Sequence, residues 1–186
     1  MKFILFLLFF ISESIIAQSI DTLSLKKQLS IIFERDQKTR TRGDSAVFMQ
    51  EIDRSNLEKV EKIISIYGWP GKSFVGKPGN TTIFLVIQHS ELAIQEKYLP
   101  LLQASVAANE SDPGSLALMQ DRILMQQGKK QIYGSQIERD SLTGGWKIYP
   151  IEDEMHVDQR RAKIKLETIE EYARRFGIQY VPPKNN

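Results

Sequence analysis

Apolar residues return every three or four positions through most of this chain, a period that a helix gathers onto one side. In residues 22–41 they are Leu25, Leu29, Ile32 and Phe33, and from about Asp53 to Tyr67 they are Leu57, Val60, Ile63, Ile64 and Tyr67. Gly43 and Asp44 end the first helix, and Gly68, followed by Trp69 and Pro70, ends the second. "GWPGKSFVGKPGN" holds four glycines and two prolines and predicts an ordered loop. Asn80 or Thr81 then caps a third helix that contains "QHSEL" at residues 88–92. That helix runs to about Tyr98, is kinked or restarted at Pro100 and continues to about Ala108; a fourth covers about Ser115 to Gln127 and stops at Gly128.

The β-formers gather in one place. "KKQIYGSQIER" and "WKIYPIE" flank "DSLTGG", which supplies turn chemistry, so a β-hairpin is predicted there. Residues 158–176 return to helix in two short pieces, and residues 181–186 read as a flexible tail. The expected fold is mainly α with one β-hairpin (α+β), a compact single-domain helical array over residues 18–180.

Lys2 precedes nine apolar residues, Phe3 to Ile11, and small and polar residues lead on to Ala17. This is the order of a secretory signal peptide, with cleavage predicted after Ala17. The run is shorter than the ~20 residues a spanning helix needs, and no later segment is apolar enough, so no membrane span is expected after cleavage. The protein is therefore expected to be exported from a bacterial cell, to the periplasm or beyond. Removing residues 1–17 takes away Lys2 and Glu13 and leaves the net charge at +2. That balance argues against nucleic acid as a partner. With no cysteine in the chain, disulfides, thiolate metal sites, thiol catalysis and a lipid-bearing cysteine are excluded, and stability must come from packing.

Polar residues interrupt three of the apolar stripes. His89 has Leu85, Val86, Leu92 and Ala93 at helical spacing, Asp121 has Ala117, Leu118, Leu124 and Met125, and Asp36 continues the first stripe with Arg40 one turn on. A lone buried carboxylate costs several kcal/mol, roughly, so these groups must find partners. One reading brings Asp36, Arg40, His89 and Asp121 to a single pocket, with His89 as general acid or base and Asp121 orienting it. The other is a buried network that joins helices and does no chemistry. "QIYGSQ" adds Gln131, Tyr133, Ser135 and Gln136 around Gly134, either as an edge that reads a substrate or as a strand bulge with solvated glutamines. Arg122, and Arg160 and Arg161 of "DQRR", offer guanidinium forks for an anion, although Asp158 reads more simply as a helix cap.

Other chemistries find no motif. "GKPGN" lacks the ending of a phosphate loop, and no glycine-x-serine-x-glycine stands in the chain. The two histidines, His89 and His156, lie 67 positions apart, and His156 with Glu152 and Asp153 reads as a charged loop. No metal and no cofactor are expected.

The order "DQKTR", "GWPG", "QH", "DR", "QIYGSQ", "PIED" and "RR" resembles an uncharacterised bacterial family, domain of unknown function 6624, over about residues 25–175. Ser135 stands where the family pattern has threonine. The resemblance implies that Gln88, His89, Asp121, Arg122, Gln131, Tyr133 and Gln136 act as one unit, and it implies no activity. Two functions follow as expectations. The first is a small exported hydrolase or lyase in which His89 and Asp121 are catalytic, Arg122 or Arg40 holds an anion, and Gln88, Gln131, Tyr133 and Gln136 read the substrate. The second is a non-catalytic module that binds a small molecule or an envelope protein through the hairpin and the 68–80 loop.

Overall fold

The structure, a computed structural model, describes residues 3–43, 45–181 and 183, with residues 3–20 described by their backbone. Most of the expected tail, the first two residues of the signal segment and the side chains around Ala17 lie outside the described residues. Contacts gather into two units, residues up to Val86 and residues from Ile87 on.

The first unit is built on α1 (Phe3–Arg42) and α2 (Ala46–Tyr67). They run antiparallel, as the bonds at their two ends show: Tyr67 Oη donates to Asp21 at 2.6 Å, and Arg40 donates to Asp53 at 2.9 Å. Among the side chains described on α1, the buried ones are Leu25, Leu29, Ile32, Asp36 and Thr39. Phe33, expected on this stripe, is 40% exposed, because it stands one residue, about 100°, round the helix from Ile32. α2 starts well before Asp53, since Ser45 caps it by accepting from Phe48 N–H.

The expected 68–80 loop is mostly helix. α3 (Lys72–Gln88) begins after a short bend and is interrupted at Gly76, whose φ of 77° suits glycine. Pro78 follows in the first turn of the resumed helix, where its missing N–H costs nothing. Asn80 does not cap a helix: it is buried, and its amide donates to Pro70 O at 2.9 Å, pinning the bend. A Cβ on Gly79 would stand 3.0 Å from both Leu29 Cδ1 and Val75 Cβ, so this glycine lets α3 lie against α1.

The second unit contains α4 (Leu92–Ala107) and α5 (Pro113–Gln126), again antiparallel. Gln126 donates to Gln95 at one end, and Ser105 and Ser111 share a 2.8 Å hydroxyl contact at the other. Asp112 caps α5 on Ser115 N–H, with Pro113 in its first turn. The expected helix through "QHSEL" is two helices, and residues 89–91 are the turn between them. No glycine or proline marks the break. Buried Gln95 sits against it instead, donating back to the carbonyls of Gln88 (3.1 Å) and Ser90 (2.7 Å). Pro100, by contrast, sits inside α4 without ending it.

The hairpin pairs β1 (Ile137–Arg139) with β2 (Trp146–Ile148), in the register Ile137–Ile148, Glu138–Lys147 and Arg139–Trp146. "QIYGSQ" precedes it as a loop rather than forming a strand, with Gln131 bridging Ile151. A short 3-10 turn (Glu154–His156), α6 (Val157–Lys163) and α7 (Ile169–Arg174) complete the chain as the two predicted pieces. Ile151, Val157 and Ile169 form their core. The described residues thus hold seven α-helices and one two-stranded hairpin, mainly α as expected. Among them no helix is long and apolar enough to cross a membrane.

Candidate functional site

All the predicted site residues except Asp36 and Arg40 fall in the second unit, and Asp121 is the centre of what they build. It occupies the buried side of α5 with Ala117 and is wholly inaccessible to solvent. Its Oδ1 accepts from Ile132 N–H (2.8 Å) and Tyr133 N–H (3.1 Å); its Oδ2 accepts from Tyr133 N–H (3.1 Å) and Ser135 N–H (2.9 Å). A charge removed from water needs such a set of donors.

The carbonyls of the same three loop residues are taken from the other side. Arg160 Nε donates to Ile132 O at 2.9 Å, Arg161 to Tyr133 O at 2.7 Å, and Tyr172 Oη to Ser135 O at 2.7 Å. Arg161 is buried, lies 5.0 Å from the Tyr172 ring centre and also donates to Glu167 O. Burial pulls its guanidinium below the ordinary arginine value, against the opposing field of Asp158, and pushes the Tyr172 hydroxyl above its own. Gly134 completes the fit: its φ is 71°, and a Cβ there would meet Ile169 Cδ1 at 2.5 Å.

Gln131 closes the loop. Its Nε2 donates to Gln136 O (3.0 Å) and Tyr149 O (2.6 Å), and its Oε1 accepts from Gln136 N–H (2.8 Å). "DR", "QIYGSQ", "PIED" and "RR" are therefore parts of one assembly. Asp158 caps in it, but on α7 rather than α6, accepting from Ile169 N–H at 2.7 Å. His156 sits at its exposed edge, with Nδ1 2.9 Å from Asp153, which Arg160 also reaches at 3.3 Å; the His156 bond, first, holds the Asp153 carboxyl below its ordinary value.

Gln88 and Gln136 are bonded quite differently. Each directs its amide nitrogen to Leu118 O, at 3.4 and 3.3 Å, and Gln136 also reaches Ser135 Oγ. Leu118 O lies in mid-helix, where the α-helical pattern already gives it the Arg122 N–H. Three donors thus crowd one carbonyl, and the two side-chain bonds are long. With its nitrogen turned to Leu118, Gln88 Oε1 faces away, and among the described residues this buried oxygen has no hydrogen-bond partner. His89 follows it in the 89–91 turn, half-buried; Arg122, one helical turn beyond Leu118, and the Tyr133 side chain are half-buried too.

Asp36 and Arg40 pair with each other in the first unit. Arg40 lies 3.2 Å from Asp36 and 2.9 Å from Asp53, and Gln37 donates to Asp36 at 2.8 Å. On α2, Asn56 is fully buried with neither end of its amide partnered among the described residues.

Sequence reasoning missed Gln95, although it stands three residues before Tyr98 and seven before Leu102 on the buried side of α4, the same signal that marked Asp121. It also missed Tyr172 as the partner of Ser135, and nothing local could have shown that bond across 37 residues.

No curated protein and no solved structure matches the chain. Residues 29–181, which include Asp121, the 131–136 loop, Arg160 and Arg161, match a family by sequence, and the chain belongs to that family of unknown function, DUF6624.

Proposed function

We propose that this is an exported protein of the bacterial envelope that binds a small polar molecule beside the α3–α4 turn, with Gln88 and Gln136 as its recognition pair. The observation that carries this reading is the buried, unpartnered Oε1 of Gln88, set against the full use of Asp121 and Gln131 by backbone groups. A buried acceptor without a donor costs about 1–3 kcal/mol, and residues that lower stability collect where function needs them. A ligand that offers an N–H or O–H to Gln88 Oε1 would remove that cost. His89, next to Gln88 in the 89–91 turn and half-buried, would border such a ligand.

Gln88→Leu tests this through stability alone. If Gln88 is kept for a ligand, the variant unfolds at the same urea concentration as wild type or higher, by up to about 1 kcal/mol. A loss of more than about 1 kcal/mol would make the amide a structural strut and remove the reading.

The second reading is a small hydrolase or lyase with His89 as general acid or base, and with Asp121, whose oxygens are taken by the loop N–H groups, holding the 132–135 loop rather than the imidazole. The half-buried imidazole next to Gln88, in a turn held by Gln95, favours it. Under this reading a folded His89→Gln protein has no turnover, whereas under the first it only binds more weakly. Export rests on the signal-like segment 1–17; the family match begins downstream of it, at residue 29.

A further inference from the structure

The first unit contains a cavity of about 390 Å³ between α1 and the first half of α3. Phe33, Val75 and Pro78 form its apolar wall, and Ser30, Thr81 and Lys26 stand in its lining. The backbone shapes it: Gly79 brings α3 against Leu29, and the break at Gly76 turns the preceding residues along a different line. Its volume falls in the range of small-molecule sites, ~300–1,000 Å³. Among the described residues that line it, Lys26 carries the charge and none is acidic. Phe33, 40% exposed and part of the lining, offers its ring to whatever enters.

We infer that this cavity binds a free, medium-chain monocarboxylate, with the hydrocarbon against Phe33, Val75 and Pro78 and the carboxylate at Lys26. The apolar wall selects the chain, and the one cationic lining residue selects the sign of the head group. The site lies in the first unit and does not depend on the reading given for Gln88.

The test is an NMR titration of the whole isotope-labelled protein with sodium decanoate below its micellar concentration, with decanol as the uncharged control. Saturable amide shifts are expected in residues 26–33 and 75–82. Lys26→Ala should weaken decanoate about threefold to fivefold, the worth of one exposed ion pair, and leave decanol unchanged. Ser30→Phe, at an exposed helical position, should abolish both sets of shifts by filling the mouth. Shifts that do not saturate, or that survive Ser30→Phe in a protein of unchanged helix content, overturn the site. If Ser30→Phe does not fold, Lys26→Ala decides: equal loss, or no loss, for decanoate and decanol overturns the carboxylate assignment.

Discussion

Asp121 and Gln88 are both buried polar residues on helices, and their surroundings give them opposite meanings. Asp121 is matched by three backbone N–H groups, so its charge is part of the folding of residues 132–135. Asp121→Asn keeps the shape but turns an NH₂ toward one or two of those donors. The expected cost is about 3 kcal/mol in urea unfolding, because a charge-assisted set is lost and buried donors are left facing a donor. The amide protons of Ile132, Tyr133 and Ser135 should lose protection from exchange together. A variant as stable as wild type, with those amides still protected, would mean that the carboxylate charge does not hold the loop. At Gln88 the imbalance already exists in the folded protein, and substitution by an apolar residue is expected to be neutral or better. The polar stripe positions were visible in the sequence. Which of them were satisfied was not, since the partners are backbone groups 11 to 14 positions away.

At the scale of elements, helix ends explain both the successes and the errors of the sequence reading. Helices that stop at Gly68 and near Gly128 carried their signal in the chain, as did the six-residue turn of the hairpin. The break at residues 89–91 carried none, and the side chain that bonds to its carbonyls comes from the next helix. Short α7 depends on a local device of the same kind. Thr168 and Glu171 form a capping box: Glu171 Oε2 accepts from Thr168 N–H at 3.0 Å, and Thr168 Oγ1 accepts from Glu171 N–H at 3.3 Å. The Thr168 N–H bond, first, holds the Glu171 carboxyl below its ordinary value of 4.5. The folded state therefore favours the ionised form. The stability this adds is complete above the unfolded value and is lost as pH falls through the lowered folded value. The helical carbon shifts of Ile169–Arg174 should be constant from neutral pH to about 5 and decline below about 4, earlier than those of α4. No decline in that range, or a simultaneous one in α4, would show that the box does not control α7.

Over the whole molecule, a chain without cysteine must rely on packing and hydrogen bonds alone, and this one uses many buried polar side chains to do so, Gln95, Asp121, Gln131 and Arg161 among them. If residues 1–17 direct export, the protein recovered outside the cytoplasm begins at Gln18, and its intact mass is lower by that segment. Recovery at the full-chain mass would overturn cleavage after Ala17. Among the side chains described on α1, the first buried one is Leu25, downstream of that cleavage position. The sequence by itself determined that the chain is mainly helical with a hairpin near residue 140, because periodicity and turn chemistry are local properties of neighbouring residues. It determined the family as well, through the order of short motifs. Only the tertiary structure decided that Asp121, Gln131, Arg160 and Arg161 hold one loop in place, and that Gln88 is left with an unused oxygen. Hydrogen-bond satisfaction is a property of groups brought together by folding, and no spacing along the chain records it.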